Sequence, residues 1–401
     1  MKKIVLLLMM IAGLAWGQAA KPGSKAATAH SPAAAKSAAQ EKQGAAAGLP
    51  SHATVQSFLE HVFGWNPQMK FAIKEIKPSP APGIAEIVVH ADTPNRSGDN
   101  SIFVTSGHHF AIAGQMVPFG GSASQKPTNE QIDAFMRQMT ASNPGITWTV
   151  AELKPDDVAN LTGVVVVLSN PQGQRGAQRF WVTPDGGHAL LGDVSPFGAD
   201  PFAAARAELT GAVNGPWTGP TTPKITMVEF GDLECPSCKA AAPVIERLVK
   251  EVPGSRLIFQ QFPLVTIHHW AYTAAAFSTC VAEKNNDSFW KFADLVFGAQ
   301  EDISSHVESA DPNKKPDLTY AEQKLTQLAT DAGMNGKQIA ECAAGKPATE
   351  RVDHSMALGK KMEVTGTPTL FVNGRRVLNI TGMPFDQLKQ IVEFSGTPQG
   401  K

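Results

Sequence analysis

The chain has 401 residues, of which 42% are hydrophobic, so it is long and apolar enough to form two or three domains with cores of their own. Its 35 basic and 36 acidic side chains nearly cancel, which argues against a nucleic-acid-binding surface. Four cysteines are too few for a scaffold built from disulfides, so their chemistry is of more interest than their number.

The first residues have the pattern of a secretory signal peptide. Two lysines precede an apolar run at 4–15, and small residues suit cleavage before Gln18. This run is shorter than the roughly 20 residues of a membrane-spanning helix, although an uncleaved N-terminal anchor remains an alternative. We expect a signal peptide at 1–17, a disordered Ala-rich linker at 18–50, and export to an oxidising compartment such as the periplasm.

Two segments of the front half resemble each other at an offset of roughly 77 residues. For example, Pro-Phe-Gly at 118–120 recurs at 196–198. Each copy opens with an amphipathic helical pattern and continues in short β-rich runs. The sequence therefore predicts two small α+β repeat domains, at 51–122 and 128–199.

The segment 77–80 with Gly83, and Gly114 followed by Pro118, resemble the N-terminal domain of the DsbC and DsbG disulfide isomerases. In those families the domain occurs once per chain and joins two chains into a dimer, whereas here it occurs twice. A role as generic spacers is the alternative. A linker helix and a stretch rich in Gly, Pro and Thr are expected at 200–221.

A buried strand at 225–230 is followed by a short loop and then by helical spacing over 239–252. Between them stands the redox motif Cys235-Pro236-Ser237-Cys238. A thiol at a helix N-terminus faces unpaired backbone N–H groups and the positive end of the helix dipole, which favour the thiolate. Cys235 is therefore the expected nucleophile and Cys238, one turn later, the resolving cysteine.

The segments 229–238 and 366–374 closely resemble the DsbA-like branch of the thioredoxin superfamily, over roughly 222–396. The resemblance implies an α/β thioredoxin fold with a helical insertion. It also implies that Thr367 and Pro368 form the cis-proline element, which packs against the disulfide and pairs with the substrate strand.

The motif departs from DsbA at Ser237, where DsbA has a histidine. Without that potential positive charge, we expect a potential less oxidising than that of DsbA, within about −270 to −120 mV. Glu229 lies within an apolar strand, where an unpaired charge is costly. It matches a buried acid that relays protons to the resolving cysteine in thioredoxin-like enzymes, and a half-exposed salt bridge is the alternative.

The remaining cysteines, Cys280 and Cys342, lie on helical patterns, and an exported location favours a structural disulfide between them over two buried thiols. Zinc bound by all four cysteines is disfavoured, because structural zinc sites usually show two short cysteine pairs. We therefore expect no metal.

These features predict an enzyme, an exported thiol-disulfide oxidoreductase that forms or rearranges disulfides in secreted proteins through a mixed disulfide on Cys235. It needs no cofactor beyond its cysteines. Its expected partners are reduced or misfolded secreted proteins and an unidentified redox partner protein, without nucleic acid and without a membrane span in the mature chain. The alternative is a disulfide isomerase or holdase chaperone whose N-terminal repeats bind unfolded clients, with redox activity secondary.

Overall fold

The computed structural model describes residues 48–94, 96–121, 126–158, 160–171, 175–307, 316–377, 379–398 and 400. The expected signal peptide, and all of the expected Ala-rich linker before residue 48, lie outside the described residues. The chain divides into two compact units, Met1–Pro201 and Phe202–Lys401. Among the described residues, no helix has the length and apolar character needed to cross a membrane.

The first unit contains the two sequence copies, each a helix followed by four antiparallel strands. The first copy comprises α1 (His52–Phe63), β1 (Lys70–Pro78), β2 (Ala85–Thr93), β3 (Arg96–Val104) and β4 (Phe110–Pro118). The second comprises α2 (Asn129–Met139), β5 (Thr147–Val158), β6 (Leu161–Ser169), β7 (Arg175–Val182) and β8 (His188–Pro196). Thr128 begins α2 with a capping box, in which its hydroxyl accepts from Gln131 N.

The two copies share one continuous eight-stranded sheet, in the order β1-β2-β3-β4-β8-β7-β6-β5. Strands β4 and β8 join them by antiparallel pairing, with Gly114 opposite Gly192. A Cβ at Gly114 would lie 1.8 Å from the carbonyl oxygen of Leu191, and one at Gly192 would lie 2.2 Å from that of Ala113. Only glycine permits this close backbone approach.

Equivalent residues of the two copies form the core of the first unit. Helix α1 buries Val55, Phe58 and Leu59 in one core cluster, and α2 buries the equivalent stripe in another. A third cluster draws on both copies at equivalent positions, including the pairs Ile84 and Leu161, Phe103 and Trp181, and Ile112 and Leu190. The copies therefore bury apolar surface against each other as well as under their own helices.

The second unit is an α/β domain with a helical insertion. Its strands are β9 (Trp217–Thr218), β10 (Ile225–Gly231), β11 (Ser255–Gln261), β12 (Thr369–Val372) and β13 (Arg375–Val377). Its helices are α3 (Ala203–Leu209), α4 (Pro236–Glu251), α5 (Ala271–Lys284), α6 (Asn286–Val307), α7 (Thr319–Asp331), α8 (Gly336–Ala343), α9 (Lys346–Lys361) and α10 (Phe385–Phe394). Helices α5–α9 stand between β11 and β12 in the chain.

The second unit has a five-stranded sheet in the order β13-β12-β10-β11-β9. Strand β10 runs parallel to β11 and antiparallel to β12, so the parallel pair is connected through α4. The central position of β10 explains its nearly continuous burial and places its C-terminal end, where the redox motif follows, beside the start of α4.

Part of the segment expected to be a linker, 200–221, belongs to this sheet. Trp217 and Thr218 form β9, which pairs with Ile258 and Leu257 of β11. The amide of Asn286 fixes Trp217 from the start of α6, because it accepts from Trp217 N at 2.8 Å and donates to Trp217 O at 2.7 Å. Two residues are too short a strand for a sequence pattern to reveal.

Candidate redox site

The turn from β10 into α4 presents both motif cysteines. Cys235 is the N-cap residue of α4, with extended backbone angles, and Pro236 occupies the first turn, where its missing N–H costs no intrahelical hydrogen bond. Cys235 is 5% exposed and Cys238, one turn further, is fully buried. Both are free thiols in the structure.

The two thiols have opposite acidities. The hydrogen bond from the Cys238 thiol, aided by the backbone N–H groups of Cys238 and Ser237, lowers the pKa of Cys235 to about 5. Burial, together with that same hydrogen bond, raises the pKa of Cys238 well above its ordinary value. At neutral pH this arrangement holds a thiolate on Cys235 and a proton on Cys238.

The segment before β12 closes the site from a distant part of the chain. The Thr367–Pro368 peptide bond is cis, and the carbonyl oxygen of Thr367 lies 3.4 Å from Cys235 Sγ. The structure therefore brings the two sequence-predicted elements, the motif and the Thr-Pro pair, together.

Glu229 lies within β10 and is 4% exposed. Burial raises the pKa of its carboxyl group to about 8, and the charge of this group in turn raises the pKa of Cys238. At pH 7 the Glu229 carboxyl is mostly protonated. The half-exposed salt bridge considered from the sequence is absent from the ion pairs of the described residues.

Two carboxylates that were not predicted from the sequence lie in the loop that joins β10 to the motif. Asp232 accepts hydrogen bonds from Glu234 N at 2.8 Å, Leu264 N at 2.9 Å and His268 Nδ1 at 2.7 Å. Its own backbone N–H donates to Cys238 Sγ at 3.4 Å. The available signal was the pair of acids within the three residues directly before the motif, because a buried carboxylate needs several donors.

The second missed carboxylate, Glu234, connects the motif to the helical insertion. It accepts from His269 N at 3.1 Å and Trp270 N at 2.7 Å, at the start of α5. Burial raises the pKa of Glu234 to about 7, against the opposing effect of the Trp270 N–H. Gln300 of α6 also contacts this loop, since its Nε2 donates to the carbonyl oxygen of Leu233 at 2.8 Å.

Cys280 of α5 and Cys342 of α8 are joined by a disulfide, with Cα atoms 6.1 Å apart and a sequence separation of 62 residues. Cys280 belongs to the core cluster that also contains Cys235 and Cys238. The parts of the chain that the structure describes contain no group of three or more His, Cys, Asp or Glu side chains able to hold a metal ion.

Comparison with known proteins places this site in context. Residues 212–393 match the family model described as Thioredoxin. The disulfide bond formation protein D of Bacillus subtilis is 27% identical over 180 residues, which cover 44% of this chain and 75% of that protein. The Na(+)/H(+) antiporter NhaA 3 of Salinispora tropica is 30% identical over 158 residues, 39% of this chain but only 21% of the antiporter, so the chain spans about a fifth of that relative.

Among solved structures, oxidised BdbD from Bacillus subtilis aligns with a TM-score of 0.37 and 23% identity, over 46% of this chain and 92% of that one. The family match and the observed topology confirm the predicted fold class, a thioredoxin fold with a helical insertion. The match begins at residue 212, within the segment expected to be a linker. The likeness of the front repeats to the DsbC and DsbG domain stays a prediction.

Proposed function

We propose that this chain, whose residues 212–393 form a DsbA-like thioredoxin-fold domain, is an exported thiol-disulfide oxidoreductase acting on secreted proteins. One observation carries the proposal: Cys235 stands at the N-terminus of α4 with a lowered pKa, beside the buried thiol of Cys238. A stabilised thiolate is a good leaving group, so a disulfide between these two cysteines is readily given up to a client.

The exchange proceeds in two balanced steps. A client thiolate attacks Cys235 Sγ of the oxidised pair, the bond between Cys235 and Cys238 breaks, and Cys238 leaves as a thiolate that takes up a proton. A second thiolate of the client then attacks the client sulfur of the mixed disulfide and expels Cys235 as a thiolate. The client gains a disulfide, the pair gains two electrons, and a redox partner protein must accept those electrons before the next cycle.

Glu229 and the Thr-Pro segment have supporting roles in this proposal. Cys238 must gain or lose a proton whenever it leaves or attacks, and Glu229 is the buried carboxyl group whose charge acts on it. With a pKa of about 8, that carboxyl can exchange a proton near neutral pH. Thr367 and Pro368 would hold the client strand against Cys235, since the Thr367 carbonyl lies beside its sulfur.

The buried carboxyl of Glu229 predicts a specific pH dependence of stability. Folding raises the pKa of this carboxyl group, so the protonated group stabilises the folded state. This contribution to the free energy of unfolding is fully present below the ordinary pKa of 4.5 and is lost as the pH rises through about 8. Each unit of pKa difference corresponds to about 1.4 kcal/mol, so Glu229→Gln should gain several kcal/mol of unfolding free energy over the parent protein between these limits.

Urea unfolding of both proteins across this pH range measures the difference. Glu350→Gln is the control, because Glu350 is an exposed residue of α9 paired with Lys346. It should track the parent protein at every pH. A gain in Glu229→Gln that is the same at pH 4 and pH 9 would contradict the assignment.

A second candidate function is that of a disulfide isomerase or holdase, in which the repeats bind unfolded clients. The observation in its favour is an apolar pocket in the first copy, lined by residues of α1, of the loop that follows it and of neighbouring strands, among them Leu59, Phe63, Met69 and Phe71. Such a surface suits apolar side chains of unfolded chains.

Oxidative refolding of a reduced, unfolded secreted protein tests the main proposal. The oxidised protein should return native disulfides faster than a glutathione buffer alone, and Cys235→Ala should not. The variant lacking both motif cysteines should lose this activity yet keep its fold. If that variant protects clients from aggregation as well as the parent does, and the parent catalyses no exchange, the binding function replaces the redox one.

A further inference from the structure

Gln300 is a polar residue on the buried stripe of α6. The other buried positions of that helix are apolar: Phe289, Phe292, Ala293, Val296, Phe297, Ile303 and Val307. Gln300 is only 6% exposed. A polar side chain held in such surroundings is costly unless hydrogen bonds compensate its lost hydration, so Gln300 should have hydrogen-bond partners.

The Gln300 side-chain amide donates to two carbonyl groups of the redox loop. Its Nε2 lies 2.8 Å from the carbonyl oxygen of Leu233 and 3.2 Å from that of Cys235. These carbonyls flank Glu234, whose carboxylate accepts hydrogen bonds from the backbone N–H groups of His269 and Trp270, just before α5. The insertion therefore holds the loop twice, by the start of α5 and by the middle of α6.

The Cys235 carbonyl is also the first acceptor of α4. Cys238 N and Lys239 N donate to it at 3.1 Å and 3.2 Å. Gln300 thus adds a side-chain N–H donor, from another helix, to the peptide group that begins α4. The negative end of a carbonyl dipole disfavours a nearby anion when no donor compensates it. The N–H of Gln300 supplies such a donor to the carbonyl oxygen of Cys235, the residue that carries the thiolate.

We propose that Gln300 is a positioning residue of the redox site, which fixes the Leu233 and Cys235 carbonyls and thereby sets the redox equilibrium of the Cys235 and Cys238 pair. The biological meaning of this role rests on the proposed function. Its test needs no client, so it can fail or succeed independently of whether the protein catalyses disulfide exchange.

The test is Gln300→Met in the full chain, because methionine keeps the length of the side chain and removes both donors. The pKa of Cys235, followed by thiolate absorbance, should rise by about half a unit or more. The equilibrium of the pair with glutathione should shift about threefold toward the disulfide, since the thiolate is stabilised less.

The matched control is Gln260→Met. Gln260 is likewise a buried glutamine of the second unit, and its Nε2 donates to a backbone carbonyl, that of Ala212, at 2.8 Å. This variant should lose stability yet leave the pKa of Cys235 and the glutathione equilibrium unchanged. Equal shifts in both variants, or no shift in Gln300→Met, would overturn the positioning role.

A measurement on the unaltered protein covers the case in which Gln300→Met does not fold. In the reduced protein, the nuclear magnetic resonance signals of the Gln300 side-chain amide should shift with pH at the midpoint of the Cys235 thiolate titration. This transition should vanish in Cys235→Ser, and Gln260 should not show it. Gln300 signals that do not follow the thiolate would refute the proposal.

Discussion

Cys238→Ala should trap clients covalently, whereas Cys235→Ala should trap none. With an unfolded protein carrying scrambled disulfides as the probe, the Cys235 thiolate attacks a client disulfide, expels one client thiolate and forms a mixed disulfide. In the parent protein the Cys238 thiol resolves this bond from within the same helix turn. Its loss removes the fast intramolecular route, so the complex should accumulate.

The burial of the two sulfurs explains the expected asymmetry. Cys235 stands at the N-cap with a lowered pKa, while Cys238 is fully buried and its pKa is raised. A buried protonated thiol cannot meet a protein-sized client, so Cys235→Ala should give almost no adduct. Non-reducing gels, with reduction as the control for a disulfide link, measure both results.

The reverse pattern would exchange the roles assigned to the two cysteines. A variant lacking Cys280 and Cys342 should behave like the parent protein in this assay, since those two residues are bonded to each other and neither is a free thiol. If neither motif variant traps a client, and zinc instead copurifies with the protein in equal amount, the redox function itself is wrong.

Removing the disulfide between Cys280 and Cys342 should lower the unfolding free energy by about 4 kcal/mol. The bond closes a loop with a sequence separation of 62 residues. In the chain-entropy model, a crosslink over a loop of this size restricts the unfolded chain by about that amount. The effect should appear as a lower urea midpoint in Cys280→Ala, in Cys342→Ala and in the double variant.

The pattern across these variants distinguishes loss of the crosslink from loss of packing. Each single substitution already breaks the bond, so each should cost nearly as much as the double substitution. Reductant should destabilise the parent protein by a similar amount and leave the double variant unchanged. Costs that add across the two sites would indicate packing, because Cys280 lies in the core.

The chemistry of the site could be predicted from local sequence because its parts are local. The strand, the short loop, the cysteine pair and the following helix occupy one continuous segment, whereas the Thr-Pro element was expected only from the resemblance of 366–374 to DsbA-like proteins. The fold class followed from the same segments and is confirmed. The buried setting of Glu229 was visible as an acid in an apolar strand.

What the sequence could not supply were contacts between distant segments. Asp232 meets His268 and Glu234 meets Trp270 across more than thirty positions of the chain, as their hydrogen bonds show. Gln300 was not identified from the sequence, because a polar residue on an apolar helical stripe gives no indication of what it binds. Helical patterns fix which side of a helix is buried, and leave open which loop it covers.

The joining of the two copies was also beyond the sequence. A repeat shows that two units are alike, but it does not say which edge strands meet. The pairing of β4 with β8 depends on Gly114 and Gly192, whose missing side chains let the backbones approach. Either glycine could equally have served a turn.

Because the two copies belong to one chain, their pairing through β4 and β8 should not depend on protein concentration. Two copies on separate chains would associate with a dissociation constant and would separate on dilution. Here a tether between β4 and the second copy keeps the effective concentration of one copy near the other high and fixed. The two copies should therefore stay paired at any dilution. One such pair accompanies one Cys235, whereas a pair formed from two separate chains would accompany two.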